Sequence, residues 1–386
     1  MKIKKVAVLD IASDAITLVM QDKYTDSYTF RAVQEYDGFY NGEFFEPQEL
    51  FRVIDSLIAE CEKSTFTKIN KILVGVPGEF SAVITSKVES DFGVSRKVLE
   101  MDVDALYDKG KPMSDGHVCI SASPIYFELD DGTCTITPVG ATTKKLRCLM
   151  SYMVAESSFT SLFDKIAEEL GVEFTYASSV QAEVMFVVPE HLRDEGVILA
   201  DVGYTTTSVA YAIGDGIAHS LSFSLGAGHI AADISEVKEI PYDHALALVD
   251  RLNLNIAASA NDEYCVSVGQ EIAYYKVSEI NEIASARIEN IAEMIGKAIR
   301  SSYYDINLNT KVLLTGSGIS HIPGAKEIVA RLTSRQVEIL APDIMQFDKP
   351  KYAQAAGLLM VQQRQLTQKR ANNFINRLKE IISRRK

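Results

Sequence analysis

The stretch VILADVGYTTTSVAYAI, residues 197–213, decides how the chain is read. A short apolar run ends at Asp201, turns at Gly203 and re-enters an apolar segment, which predicts a β-hairpin with a polar tip. Backbone amides at a glycine turn approach a phosphate closely, and the hydroxyls of Thr205, Thr206 and Thr207 add donors. Asp201 is then placed to hold a hydrated Mg²⁺ beside that phosphate.

A second copy of the design stands at the N-terminus. VAVLDIASDAITLVM, residues 6–20, aligns so that Asp10 matches Asp201, Ile11 matches Val202, Ala12 matches Gly203 and Leu18 matches Val209. Two acid-tipped hairpins half a chain apart predict two similar lobes facing each other across a cleft. Either hairpin alone also reads as an ordinary amphipathic pair of strands.

Length and charge narrow the classes. With 386 residues the chain is long enough for two or more domains. Charged residues make up 24%, and no apolar run approaches the ~20 residues of a membrane span. Asp10 and Asp14 interrupt the early apolar stretch, which argues against a signal peptide. The five cysteines at 61, 119, 134, 148 and 265 form no CxxC pair and suggest scattered thiols. The net charge of −13 argues against nucleic acid as the main ligand. From Lys369 onward, seven Lys or Arg face one Glu, a tail of +6 on a body of −19.

In chain order, residues 3–33 read as a strand meander, 47–64 as a helix with Leu50, Ile54, Leu57 and Ile58 at helical spacing, and 68–84 as strand again. Residues 85–160 change texture and read as an inserted α+β subdomain. SSFTSLFDKIAEELGV (157–172) is an amphipathic helix ended by Gly171. Residues 279–303 predict a long helix buried along Ile280, Ile283, Ala284, Ile288, Ile291, Ile295 and Ile299.

This plan resembles the actin, Hsp70 and sugar-kinase superfamily, and the insertion at 85–160 resembles the bacterial division protein FtsA and its relative PilM. PVGATTKKLR (138–147), LGAGHIAADI (225–234), LLTGSGISHIPGAKEI (313–328) and PKYAQAAGLLM (350–360) are similar to FtsA segments in the same order. The resemblance implies an α/β, actin-like bilobal fold. Residues 1–84 with 161–196 would form the first lobe, carrying the 85–160 insertion. Residues 197–237 with 309–362 would form the second lobe, carrying a subdomain at 238–308.

It also implies ATP with Mg in the cleft, held by Asp10, Ser13, Asp201, Gly203, Thr205, Thr206, Gly226, Gly316, Ser317 and Gly318, with Asp10 and Asp201 reaching the metal through water. Missing side chains at 316 and 318 would let backbone lie against the nucleoside. Several positions depart from the FtsA pattern. Ala12 and Asp14 replace small residues of the first hairpin. Thr205 and Ser208 stand at a glycine and an acid of the second, Ala227 at a glycine, and Leu246 and Val249 at an acid and a lysine that contact the sugar. These changes point to reduced nucleotide affinity and at most a weak ATPase.

Arg287 resembles an arginine on the subdomain that binds the C-terminal peptide of FtsZ. In the tail, Phe374, Ile375, Leu378, Ile381 and Ile382 fall within roughly 120° of arc at about 100° per residue, flanked by Arg377, Lys379 and Arg384. A short basic helix of that kind, spanning 363–386, suits an anionic membrane interface. A helix packed on protein is the other reading of this pattern. The resemblance implies a division-ring tether on the cytoplasmic face of the membrane that polymerises head to tail, binds FtsZ and recruits other division proteins. A PilM-like adaptor of a pilus or secretion machine, an FtsA paralogue without nucleotide, and a small-molecule kinase remain as alternatives.

Overall fold

A computed structural model describes residues 5–22, 28–112, 115–259, 261–344 and 346–365. The tail residues Phe374, Ile375, Arg377, Leu378, Lys379, Ile381, Ile382 and Arg384 lie outside the described residues.

The chain opens with β1 (Lys5–Ile11), β2 (Ala15–Asp22) and β3 (Tyr28–Glu35), followed by the two-residue ladders β4 (Phe39–Tyr40) and β5 (Glu43–Phe44). Helix α1 (Pro47–Thr65) begins on Pro47, whose fixed φ suits a first helical turn, and leads into β6 (Lys71–Val76). Then come β7 (Ser81–Lys97), α2 (Glu100–Gly110), β8 (His117–Leu129), β9 (Cys134–Thr135) and β10 (Thr142–Glu156). Helix α3 (Ser157–Leu170) stops at Gly171, which takes the left-handed φ of 64° as its terminating role requires. After β11 (Glu173–Ser178) follow α4 (Ser179–Phe186) and α5 (Glu190–Glu195).

The second half repeats the plan with β12 (Val197–Val202), β13 (Thr207–Ile213) and β14 (Gly216–Phe223). It continues with α6 (Gly228–Lys238), α7 (Tyr242–Val249), the hairpin β15 (Glu263–Val268) and β16 (Glu271–Lys276), and α8 (Val277–Arg300). Strand β17 (Val312–Thr315), α9 (Ala325–Thr333) and β18 (Val337–Ile339) precede a helix over residues 353–365.

The first sheet has the order β3-β2-β1-β6-β11 and the second β14-β13-β12-β17-β18. Position by position the two are the same sheet: an antiparallel meander followed by two parallel strands. Asp10 pairs with Thr17 and Asp201 with Ser208 at matching places in the two hairpins.

Strand alternation sends side chains to the two faces in turn. Ala7, Leu9 and Ile11 enter one core with α1 and α3, while Val8 faces the other side. Likewise Ile198, Ala200 and Val202 enter the core made with α6 to α9, while Val197 and Leu199 face α4. Asp10 and Asp201 continue the second series in each strand. Both acids therefore sit on the faces that look toward the middle of the molecule.

Between the sheets lie α4 and the 353–365 helix. A Cβ on Gly357 would stand 2.6 Å from the backbone of Ala182, so these helices touch. Ala355, Ala356, Leu358 and Leu359 pack on Val8, Val19, Leu73 and Ala177 of the first sheet. Residues 353–359, within the stretch 309–362, thus bury their apolar side chains on the first sheet.

The inserted sheet has the antiparallel order β7-β10-β8-β9, with α2 covering it through Val98, Leu106 and Tyr152. Helix α8 buries Ile280, Ala284, Ile288, Ile291, Ile295 and Ile299, as its spacing predicts, with Ile283 partly covered. These residues share one core with the second sheet, so 238–308 has no core of its own. No helix among the described residues is long and apolar enough to cross a membrane.

Candidate functional site

The two hairpin tips meet across a cleft. Asp10 and Asp201 are both buried, and so is Glu183 of α4 beside them. Asp10 Oδ1 and both carboxylate oxygens of Glu183 have no hydrogen-bond partner. Burial, then the charge of Asp201, pushes Asp10 up to about 7. Burial pushes Asp201 up to about 6, offset in part by the amide of Gln354, which donates to its Oδ2. Glu183 is driven well above the usual carboxylate range by burial and then by Asp201 and Asp10. Asp14, also on the cleft wall, rises to about 6, chiefly through burial.

A pH dependence follows. Folded Asp10 and Asp201 keep protons that the unfolded chain releases near 3.8, so their stabilising share is complete below that value and is lost as pH rises through about 6 and 7. The span from 3.8 to about 7 at Asp10 is worth on the order of 4 kcal/mol. The melting temperature of the ligand-free protein should fall between about pH 4 and about pH 7 and level off above, and Asp10→Asn should flatten the fall. A melting temperature that is level over this range would contradict the burial of unpaired acids.

Of the sequence-predicted residues, Asp10, Ser13, Asp201, Gly203, Thr206, Gly316 and Ser317 line the cleft. Thr205 stands at the seam: its amide donates to Ser13 Oγ at 3.1 Å, joining one tip to the other. Gly226 and Gly318 lie behind the wall. A Cβ on Gly226 would stand 2.5 Å from the carbonyl oxygens of Gly203 and Tyr204. The Gly318 amide donates to Val202 O at 2.7 Å, and a Cβ there would be 2.6 Å from Gly203 O.

At Gly316, with φ +93°, a Cβ would be 2.1 Å from Asp201 Oδ1 and 2.3 Å from Val202 O. The space left by the absent side chains at 316 and 318 is thus taken by the Asp201–Gly203 turn.

The departures from the family pattern have local explanations. Neither Ala12 nor Thr205 takes a positive φ, so a Cβ costs these turns nothing. The Ala12 carbonyl accepts a hydrogen bond from Tyr36 Oη at 2.8 Å. Ser208 pairs with Ser222, Oγ to Oγ at 2.9 Å. Val249 is buried, and Leu246 packs on the same core, so α7 offers no polar group at either place.

Arg287 makes a two-pronged pair with Asp233 of α6, Nε to Oδ2 at 2.6 Å and Nη2 to Oδ1 at 2.7 Å. Nη1 also donates to Asn290 at 3.2 Å.

Among the cleft residues that escaped the sequence reading are Glu183, Tyr204, Lys351 and Gln354. Glu183 had a signal, being the one charge in the otherwise uncharged helix SVQAEVMF. Tyr204 had a weaker one, a bulky ring within a turn of small polar residues.

A sequence model of cell division protein FtsA matches residues 198–357. The FtsA of Streptococcus pneumoniae is 23% identical over 367 residues, covering 91% of this chain and 78% of that protein. Over most of its length the chain is thus similar to FtsA. A shorter match, to the FtsA of Buchnera aphidicola, is 21% identical and spans about half of each protein, 55% of this chain and 52% of the relative.

Solved structures share the actin-like fold expected of an FtsA-like chain. The PilM–PilN type IV pilus biogenesis complex superposes with a TM-score of 0.59 at 13% identity, over 92% of this chain and 97% of that one. MreB 5 of Spiroplasma citri, bound to AMPPNP, gives 0.55 at 10% identity over 97% and 100%.

The fit of this FtsA-like cleft to a metal nucleotide divides in two. Unpartnered buried carboxylates facing each other suit a hydrated cation. Among the described residues no cluster of three or more His, Cys, Asp or Glu is arranged to hold a metal directly, which leaves the contact through water. Tyr204, a bulky residue at the tip of the second hairpin, also lines this cleft.

Proposed function

We propose that this FtsA-like chain is a peripheral tether of the division ring on the cytoplasmic face of the cell membrane. In this reading it assembles head to tail, lies on anionic lipid through residues 363–386, and holds the C-terminal peptide of FtsZ near Arg287 while recruiting other division proteins. The observation that carries it is the pair of equivalent sheets whose acids meet in one cleft, in a chain with FtsA-like order from end to end. The lobes as assigned, 1–84 with 161–196 and 197–237 with 309–362, would move about that cleft, with 85–160 and 238–308 offering contact surfaces.

Asp10 and Asp201 would hold Mg through water, and the hydroxyls of Ser13, Thr206 and Ser317 with the turn at Gly203 would orient a triphosphate. Such a group supplies charge that neutralises the buried acids and ties the lobes at one angle. Thr205 and Ser13, already bonded across the seam, set the closed position from the protein's side. Gln354 orients Asp201. No step in this reading requires hydrolysis.

One weak lipid-binding helix per subunit becomes firm attachment when a polymer lines up many of them. The head-to-tail contact is heterologous and leaves an open end for the next subunit.

The test is recruitment. Fluorescent FtsZ should collect on phosphatidylglycerol vesicles only when this protein is present. Arg287→Ala should weaken FtsZ-peptide binding by roughly 10-fold in an anisotropy titration, as expected for a lost charge-assisted hydrogen bond. Vesicles that stay bare of FtsZ with the full chain bound would reject the tether. An unchanged peptide affinity would remove Arg287 from the contact.

A further inference from the structure

Tyr204 stands where the cleft ends. The residue lines the cleft together with Asp10 and Asp201, and its ring covers Gly228 in the first turn of α6. A Cβ on Gly228 would lie 3.0 to 3.1 Å from three carbons of that ring, so the ring rests flat on a position that only glycine leaves free.

Backbone and side chain of Tyr204 are held differently. The backbone is firmly tied: the Gly228 amide donates to Tyr204 O at 2.7 Å and the Ala227 amide to Gly203 O at 3.0 Å. The side chain has one hydrogen bond, Oη to Tyr242 Oη at 2.6 Å, and Tyr242 at the start of α7 also donates to Gly228 O at 3.3 Å. Rotating the ring away therefore breaks a single bond and leaves the turn intact.

Behind the ring lie the N-terminal turns of α6 and α7. The cleft floor already carries the mark of a missing cationic ligand, the partnerless oxygens of Asp10 and Glu183.

We propose that Tyr204 and Tyr242 form a latch that closes the cleft to the nucleoside of a nucleoside triphosphate. The nucleotide enters only when Tyr204 swings off Gly228. Tyr204 is then a specificity-determining residue: with the latch shut, the cleft accepts a metal-bound polyphosphate but not the sugar and base attached to it. This rests on the reading of the cleft as a nucleotide site.

Calorimetry on the full chain separates the two, with Mg-tripolyphosphate as the probe without a nucleoside and Mg-ATP as the probe with one. The variants are Tyr204→Ala, which removes the ring, and Tyr242→Phe, which keeps the ring and removes the hydroxyl bonded to Tyr204 Oη and to Gly228 O. Tripolyphosphate affinity should be alike in all three proteins. ATP affinity should rise about 10-fold in Tyr204→Ala and about 5-fold in Tyr242→Phe, the latter matching one neutral hydrogen bond.

Equal ATP affinity in the three would overturn the latch and leave the cleft reading standing. Weaker ATP binding in either variant would mean that the ring supports the base, which also overturns it. Absence of both ligands from all three would remove the nucleotide site and the latch together. Should Tyr204→Ala melt at low temperature, Tyr242→Phe decides alone.

Discussion

Removal of residues 370–386 should release the protein from anionic vesicles. The deleted stretch carries six Lys or Arg, one Glu and the stripe Phe374, Ile375, Leu378, Ile381 and Ile382. Each cation near an anionic surface adds ~1 kcal/mol, and the apolar stripe adds its burial in the interface. Together they predict a loss of roughly 100-fold or more in vesicle partitioning. Flotation measures it, and a thermal melt of the same sample shows whether the lobes stay folded. The described cores are built without these residues, so the melt should not move. A shortened chain that still floats with the vesicles would assign the lipid contact elsewhere, and a collapsed melt would place the tail in the fold instead.

Gly316→Ala should be costly although it adds one methyl group. The residue holds φ +93°, where an L side chain is strained by roughly 1–2 kcal/mol. Its Cβ would meet backbone and the Asp201 carboxylate, neither of which can rotate aside cheaply, for a further ~1–3 kcal/mol. The sum, about 2–5 kcal/mol, would be read by urea unfolding. Because the methyl pushes on Asp201, any Mg-nucleotide affinity should fall in step. Gly132→Ala is the control for φ alone, since it has φ +84° and nothing within 4 Å. Equal losses at the two positions would mean that strain, and not contact with Asp201, explains Gly316.

The hairpins were legible because strand alternation and a turn residue act over a few neighbours. Asp10 and Asp201 fall one residue before the ends of β1 and β12, in register with Thr17 and Ser208, as two copies of one local pattern require. The long helix α8 was legible too, since its isoleucines repeat at the period of the helix. The substituted turns were harder. Ala12 and Thr205 looked like damage to a phosphate loop, but neither backbone needs glycine there. Gly316 and Gly318 also have a role that no local pattern showed: the absent side chains give clearance to a neighbouring turn.

Local order along the chain was enough for two matching sheets, two acids at matching strand ends and a basic tail, because each depends on residues only a few positions apart. Tertiary packing alone brought Glu183 beside those acids, laid Tyr204 across Gly228, paired Arg287 with Asp233 and sent residues 353–359 to the first sheet. Those are contacts between segments tens to hundreds of residues apart. Their energies come from burial and close approach, and neither exists until the lobes have come together.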